Sequence, residues 1–110
     1  MRKLGIIDIG SNTARLLLVS INKEGSYKVF NQLKESIRLG QDMGDEQLLK
    51  PRRVYQTIQT LQMFKRLCSA NNVDEIIAVA TAAVRRAANQ RSFLDEVYAS
   101  TGIELKVLSG

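Results

Sequence analysis

The chain has 110 residues, of which 45% are hydrophobic and 25% charged, and this composition predicts one globular domain with a modest core rather than a disordered segment. Its formal net charge of +5 favours a polyanionic partner such as a phosphorylated small molecule, nucleic acid or a membrane surface, although a merely basic surface gives the same value. Because there is no histidine and one cysteine, neither a zinc site nor an internal disulfide is expected, and the lack of a predicted membrane span or signal peptide favours a cytoplasmic protein.

The first part of the chain predicts three strands joined by turns. Residues 4–9 form an apolar run that ends at Gly10, and residues 15–21 predict its antiparallel partner. A cluster of turn-forming residues leads to a third predicted strand over 27–37, whose alternation is imperfect. The polar stretch 40–50 predicts a loop.

The middle of the chain predicts a long helix and a buried strand. Pro51 suits the first turn of a helix, where its missing N–H costs nothing. Apolar residues then recur at steps of three and four, which predicts an amphipathic helix of about five turns. They are Val54, Ile58, Leu61, Phe64 and Cys68. Asn71 and Asn72 are predicted to end this helix, and the continuous apolar run 76–80 is typical of a strand buried on both faces.

The last part of the chain predicts two short helices and a strand. Thr81 is expected to cap a helix over 82–88. Ser92–Asp95 resembles a capping box that would open a second helix, which Gly102 is placed to end. Residues 103–107 alternate as a final strand.

The predicted order is therefore β-β-β-α-β-α-α-β. Three antiparallel strands followed by helix-linked strands imply an α/β fold with a mixed sheet covered by helices. Since the chain stops directly after a strand, we expect a C-terminally truncated domain. The open edge of such a sheet could pair with a second copy and form a homodimer.

The candidate chemistry is concentrated after the first strand. Asp8 is interpreted as a Mg²⁺ ligand, because this ion prefers hard oxygen ligands. The alternative is that its carboxylate caps the turn that follows. That turn, made of Gly10, Ser11, Asn12 and Thr13, offers successive N–H groups and hydroxyls that could bind a phosphate. The alternative here is an ordinary hairpin turn.

Arginines form the second group of candidates. Arg85 lies about one turn into the helix that follows Thr81, and guanidinium is well matched to phosphate oxygens. The alternative is that Arg85 and Arg86 are solvated helix residues. Arg38, after the third strand, is interpreted as a surface ion pair with Glu35 that contributes little.

Taken together, these segments resemble the N-terminal part of the exopolyphosphatase/guanosine pentaphosphate phosphatase family. The most specific match is the run Asp-x-Gly-Ser-Asn-Thr-x-Arg-Leu-Leu that begins at Asp8. The matching segments are Ile7–Leu17, Arg38–Gly40, Ala80–Asn89, Phe93–Val97, Gly102–Ile103 and Val107–Gly110.

The resemblance implies an actin-like, ribonuclease H-related fold with two such domains around a cleft, of which residues 1–110 would be the N-terminal part of the first. It implies Mg²⁺-assisted hydrolysis of inorganic polyphosphate or guanosine pentaphosphate. In this family pattern Asp8 would help to hold the metal, the turn from Gly10 to Thr13 would form the first phosphate loop, and Arg85 would reach the phosphate chain.

The family's catalytic glutamate would follow the Ser-Gly turn at the end of this chain. Glu104 precedes that turn, so no catalytic residue is assigned and the chain alone is expected to be inactive. A second hypothesis is a non-catalytic sensor that captures guanosine tetraphosphate or polyphosphate without turnover. A nucleic-acid-binding module is disfavoured, because aromatic residues are not interleaved with basic ones.

Overall fold

The structure is a computed structural model that describes residues 1–109. This part of the chain forms a sheet with helices in the order that the sequence predicts. The strands are β1 (Arg2–Ile9), β2 (Thr13–Ile21), β3 (Tyr27–Ser36), β4 (Glu75–Ala80) and β5 (Leu105–Val107). The helices are α1 (Pro51–Ala70), α2 (Ala82–Arg86) and α3 (Gln90–Thr101). The β-β-β-α-β-α-α-β order is thus confirmed.

The sheet is mixed, as predicted, with the strand order β3-β2-β1-β4-β5. β2 runs antiparallel to both β1 and β3, whereas β1, β4 and β5 are mutually parallel. The register shifts between the pairs Leu18–Asn31 and Val19–Val29, so Phe30 is an extra, bulged residue in β3, and this accounts for the imperfect alternation of that strand. Because β1, β4 and β5 are parallel, their carboxyl ends meet at one edge of the sheet, and the segments that follow them are neighbours there.

The core lies between one face of the sheet and the helices α1 and α3. The apolar stripe predicted for α1 is confirmed, since all five of its residues are buried. Although α1 has 20 residues, no helix in the described part of the chain is both long enough and apolar enough to cross a membrane.

The opposite face of the sheet is open in residues 1–109. In β4, Ala78 and Ala80 are buried, whereas the Ile77 side chain between them is 40% exposed. The prediction that this strand is buried on both faces is therefore wrong for the described residues. The apolar run alone could not reveal this, because it identifies a strand but not which layers cover it.

The cap predicted at Thr81 is confirmed in position but lacks the expected side-chain bond. Thr81 is the N-cap residue of α2, and its carbonyl accepts a hydrogen bond from the Arg85 N–H at 2.8 Å, but its side chain makes no capping hydrogen bond. Its hydroxyl instead donates weakly to the Ile9 carbonyl at 3.4 Å, which ties β4 to β1. The helix also ends at Arg86, two residues earlier than predicted, because Ala87 is already extended.

The capping box predicted at Ser92 is also wrong, because α3 begins at Gln90 and Ser92 lies inside it. Asp95 instead accepts a hydrogen bond from Arg91 at 2.7 Å, one turn earlier on the helix. This bond lowers the pKa of the Asp95 carboxyl and raises the pKa of the Arg91 guanidinium. Both side chains are exposed, so the pair contributes little to stability.

The end of α3 follows the prediction, and the strand after it is shorter than expected. Gly102 adopts the left-handed conformation (φ 74°) that ends helices, and its N–H donates to the Tyr98 carbonyl. The N–H of Ile103 donates to the Thr101 hydroxyl at 3.0 Å. The N–H of Ile103 is thus occupied outside the sheet, and β5 begins at Leu105, which pairs with Ala78 of β4.

Candidate functional site

The candidate site lies at the carboxyl edge of the parallel strands. The N–H of Thr81 donates to the Ile9 carbonyl at 3.0 Å, and the N–H of Leu108 donates to the Ala80 carbonyl at 2.9 Å. These bonds hold the exits of β1, β4 and β5 side by side. The turn that starts at Gly10 follows β1 directly and therefore lies beside the start of α2.

Asp8 presents an unpartnered carboxylate at this edge. Its neighbours Ile7 and Ile9 are fully buried against the helices, so the alternation of the strand turns Asp8 to the open face, where it is exposed. Within residues 1–109 the carboxylate accepts no hydrogen bond and joins no salt bridge, and it does not cap the turn. Its oxygens are thus available to a cation such as Mg²⁺, which takes carboxylate oxygens and keeps several of its waters.

The turn is held in place by hydrogen bonds that its carbonyl groups accept from the segment after β3. The Asn12 carbonyl accepts hydrogen bonds from the N–H groups of Ile37 and Arg38 at 2.8 and 3.0 Å, and the Ser11 carbonyl accepts one from Gly40 at 2.8 Å. Three backbone bonds therefore clamp the turn to the segment after β3. The turn is a rigid platform that is built by two distant parts of the chain.

The donors that remain in the turn differ from those expected. The N–H of Gly10 donates to the Thr13 carbonyl at 2.9 Å, so this residue closes the turn and does not offer its N–H to a ligand. The N–H groups of Ser11 and Asn12 have no backbone acceptor in the described part of the chain. Together with the hydroxyls of Ser11 and Thr13, they are the groups that can donate to a phosphate.

A cavity of about 300 Å³ opens beside the turn. Its lining consists of Ser11, Asn12, Thr13, Ser36, Arg38, Gly40 and Gln41. The surface ion pair proposed for Arg38 and Glu35 does not form, since the two side chains are not within salt-bridge distance in residues 1–109. Arg38 instead lines the cavity next to the turn, and the prediction missed this role.

The backbone explains how Arg38 reaches this place. It has a positive φ of 47°, which residues other than glycine rarely adopt and which costs about 1–2 kcal/mol. The surrounding hydrogen bonds hold it there. The Arg-Leu-Gly resemblance was the one available signal in the sequence, because neither periodicity nor charge predicts a left-handed arginine.

Gly40 marks the point where three segments converge. A Cβ atom added to it would lie 3.2 Å from the Cβ of Ser11 and 3.3 Å from the Cβ of Ala83. Both distances are tighter than ordinary contacts. The absence of a side chain at Gly40 therefore lets the turn, the segment after β3 and the start of α2 pack together.

Arg85 lies near this edge, but its guanidinium is anchored elsewhere. Its Nη1 atom donates to the Leu108 carbonyl at 2.9 Å, and the side chain is exposed. Since guanidinium has five N–H donors, this single bond leaves others free. The fold thus brings α2 next to the turn while the head group of Arg85 contacts the segment after β5.

Known proteins are similar in sequence to this chain over the segments that build the fold and the site. A profile described as the Ppx/GppA phosphatase family matches residues 18–110. The chain is 32% identical over 108 residues to exopolyphosphatase 1 of Mycobacterium tuberculosis, covering 98% of this chain and 31% of that protein. The family profile begins after the turn, whereas the match to this relative spans almost the whole chain.

Solved structures agree in fold. The Ppx/GppA phosphatase of Aquifex aeolicus superposes with a TM-score of 0.92 at 32% identity, covering 98% of this chain and 36% of that one. An exopolyphosphatase from Cytophaga hutchinsonii superposes with a TM-score of 0.93 at 25% identity, covering 99% of this chain and 35% of that one. These matches confirm the predicted actin-like, ribonuclease H-like fold. The chain spans about a third of the length of the relatives it matches.

Proposed function

The chain belongs to the Ppx/GppA phosphatase family, and we propose that the whole protein is a cytoplasmic, Mg²⁺-dependent hydrolase of inorganic polyphosphate or guanosine pentaphosphate. One observation carries this proposal. Within residues 1–109, an unpartnered carboxylate, Asp8, and a clamped turn with two free N–H groups, those of Ser11 and Asn12, lie at the same edge of the sheet.

The turn binds and orients the phosphate group. Its N–H groups and hydroxyls are fixed before a ligand arrives, so little ordering is needed on binding. The guanidinium of Arg38 reinforces the turn by offsetting the negative charge of phosphate. Arg85 contributes its remaining donors from α2.

Asp8 would hold Mg²⁺, and the exposed, unpartnered oxygens of its carboxylate fit that role. When bound, the ion supplies charge neutralisation on the phosphate oxygens. The alternation of β1 keeps the Asp8 carboxylate outside the core, where it is accessible to the ion.

The base that activates water is proposed to come from outside this chain. Glu35 is paired in register with the buried Ala14, so it lies on the helix-covered side of the sheet, away from Asp8. Glu104 precedes β5 and lines a cavity beside Arg91 on α3. Neither glutamate shares the open face with Asp8, and the 110-residue chain alone is expected to release no phosphate.

The test is orthophosphate release by the whole protein from polyphosphate and from guanosine pentaphosphate, with and without Mg²⁺. Asp8→Asn and Arg85→Ala are each expected to lower kcat/KM by about a hundredfold or more, as removal of a charge-stabilising group does. Asp45→Asn and Arg52→Gln alter exposed residues away from the turn and serve as controls. Wild-type rates in both site variants would refute the assignment.

A second candidate function is a sensor that binds polyphosphate or guanosine tetraphosphate without turnover. The groups gathered at the turn favour it, because hydroxyls, N–H groups and guanidinium are binding groups and Asp8 is the carboxylate that lies beside them. Saturable binding of polyphosphate by the whole protein, with no orthophosphate released in the presence of Mg²⁺, would support the sensor over the hydrolase.

A further inference from the structure

The sheet ends at β5, and within residues 1–109 no strand pairs with the outer edge of β5. The Leu108 N–H donates to the Ala80 carbonyl of β4, so Lys106, two positions earlier, also turns its backbone groups towards β4. Leu105 and Val107 therefore direct their N–H and C=O groups outwards. A row of such unpaired groups is a template on which another strand can add.

The opposite edge of the sheet, formed by β3, is less suited to pairing. Phe30 is a bulged residue there, and a bulge interrupts the regular row of donors and acceptors. Lys28 and Lys34 place two like charges on the same strand. Bulges and lysines are features that keep edge strands from associating. β5 has no bulge in its pairing with β4, which leaves it as the edge open to a partner.

The segment at the β5 edge is complementary to itself. From Ile103 to Val107 it alternates as apolar, acidic, apolar, basic and apolar residues. When two copies pair antiparallel about Leu105, each Glu104 lies opposite Lys106 of the second copy. This register gives two cross-strand pairs of opposite charge and no pair of like charge, which is the favourable arrangement in a sheet.

Both charges are available for such a contact. Glu104 and Lys106 are exposed, and neither makes a salt bridge within residues 1–109. Pairing with a second copy would therefore create ion pairs without breaking existing ones.

The backbone fits the same register. Residues that lie directly opposite in an antiparallel pair exchange either both hydrogen bonds or none. Because Leu105 turns both of its groups outwards, the two copies of Leu105 can exchange two bonds. The Ile103 N–H already donates to the Thr101 hydroxyl at 3.0 Å, but the Ile103 carbonyl has no partner within residues 1–109. It can accept from the Val107 N–H of the second copy, which adds one bond on each side.

The flank of α3 beside this edge adds apolar surface. A cavity of about 350 Å³ lies between α3 and β5, and Leu94, Tyr98, Ala99 and Leu105 are among the residues that line it. The Tyr98 side chain is 59% exposed. Directly opposite residues of paired strands point to the same face, so the α3 helices of both copies lie on one side of the joined sheet. Each copy would then cover this flank of the other.

We propose that β5 is the interface of a symmetric homodimer, in which two copies pair antiparallel about Leu105 and form one continuous sheet. A two-fold contact of this kind closes on itself and does not propagate into a filament. Because strand direction reverses across the axis, the two turns that start at Gly10 lie at opposite edges of the joined sheet. The contact includes neither Asp8 nor the turn, so it stands or falls separately from the proposed function.

The test is charge reversal in the whole protein, followed by sedimentation equilibrium over a concentration series up to about 1 mM, since a contact through one short strand and a helix flank is small. Glu104→Lys places lysine opposite lysine, and Lys106→Glu places glutamate opposite glutamate. Each variant alone should dimerise about tenfold to a hundredfold more weakly than wild type.

An equimolar mixture of the two variants should restore dimers with an affinity close to that of wild type. In the mixed dimer every contact between positions 104 and 106 again joins opposite charges. Recovery in the mixture also shows that both variants are folded. A mixture that stays monomeric, or a wild-type protein that is monomeric over the whole series, would overturn the proposal.

The matched controls are Glu24→Lys and Lys23→Glu, which make the same charge changes at exposed positions in the turn between β2 and β3. Each should dimerise as wild type does. If the controls lose as much affinity as the β5 variants, the effect reflects net charge and the assignment of β5 is wrong.

Hydrogen exchange at the Leu105 amide identifies the edge that is used. In wild type its protection should rise with protein concentration, because the N–H becomes bonded only in the dimer. Strong protection in a monomeric protein would mean that another part of the same polypeptide pairs with β5, and this would overturn the proposal. Dimers in which the Leu105 amide stays unprotected would overturn it as well.

Discussion

Asp8 of β1 and Arg15 of β2 are direct register partners in the antiparallel pair, and both are exposed on the open face of the sheet. Opposite charges in such a cross-strand position usually contribute about 0.2–1 kcal/mol. Here the side chains form no salt bridge within residues 1–109. The sheet thus places a guanidinium beside the candidate metal-binding carboxylate without tying the two together.

The first prediction concerns this free carboxylate. Asp8→Asn should change the free energy of unfolding by less than about 0.5 kcal/mol, because an exposed, unpartnered side chain is replaced. The same variant should lose the rise in Tm that Mg²⁺ with tripolyphosphate produces in wild type, since only the native state binds these ligands. Urea unfolding and thermal scans of the whole protein measure the two effects. Asp45→Asn should keep the ligand-induced shift, and loss of the shift in that control would contradict the assignment.

The second prediction concerns Gly40. Gly40→Ala should lower the free energy of unfolding by about 1–3 kcal/mol, because the new methyl group meets Ser11 and Ala83 and the packing must yield. Since Ser11 belongs to the turn, tripolyphosphate affinity should fall as well. Gly25→Ala is the comparison, because that residue has a positive φ of 86° but open space around it. It should cost stability through backbone strain and leave the affinity unchanged.

The third prediction links Gly5 and Cys68. A Cβ added at Gly5 would lie 2.5 Å from the Cys68 sulfur, so Gly5→Ala should destabilise the protein by about 1–3 kcal/mol. Cys68→Ala removes that sulfur and should make room for the methyl group. The double variant should therefore be more stable than the sum of the single effects predicts, by about 0.5–3 kcal/mol. Simple additivity in a double-mutant cycle of urea unfolding would contradict this packing.

The fourth prediction concerns pH. Burial raises the pKa of the Cys68 thiol above its ordinary value of 9.0, because the core disfavours the thiolate. The unfolded chain then releases its proton at lower pH than the folded one. The contribution of Cys68 to stability is therefore complete below about pH 9 and is lost as the pH rises towards the folded pKa. Cys68→Ala should show a shallower fall in the free energy of unfolding across this alkaline range, and identical slopes would contradict the prediction.

The fifth prediction concerns Asn89. Its side chain accepts a hydrogen bond from the Leu49 N–H at 2.9 Å and donates one to the Leu49 carbonyl at 3.1 Å. Asn89→Ala leaves both half-buried backbone groups without these partners and should cost about 1–3 kcal/mol in urea unfolding. Asn31→Ala removes an exposed asparagine that bonds only to the adjacent residue and should cost less than about 0.5 kcal/mol. Equal losses in the free energy of unfolding for Asn89→Ala and Asn31→Ala would mean that the two hydrogen bonds between Asn89 and Leu49 do not stabilise the segment before α1.

Local patterns determined the helices and strands. The spacing of apolar residues fixed α1, because one face of a helix must be buried along its whole length. Pro51 and Gly102 placed two helix boundaries through their own backbone preferences. The run from Asp8 to Thr13 identified the candidate turn, since its residue types already carry the donors and the carboxylate.

Tertiary contacts decided what these segments do. Asn89 is the N-cap residue of α3, yet its side chain bonds to the backbone of Leu49, forty positions away, and does not cap the helix. Arg38 resembles a surface residue, and only the bonds from the turn hold it in a left-handed conformation inside the cavity. Ile77 is exposed because in residues 1–109 the helices cover one face of the sheet. Each outcome depends on atoms that are distant in the chain, and a local sequence pattern holds no information about which distant segment comes near.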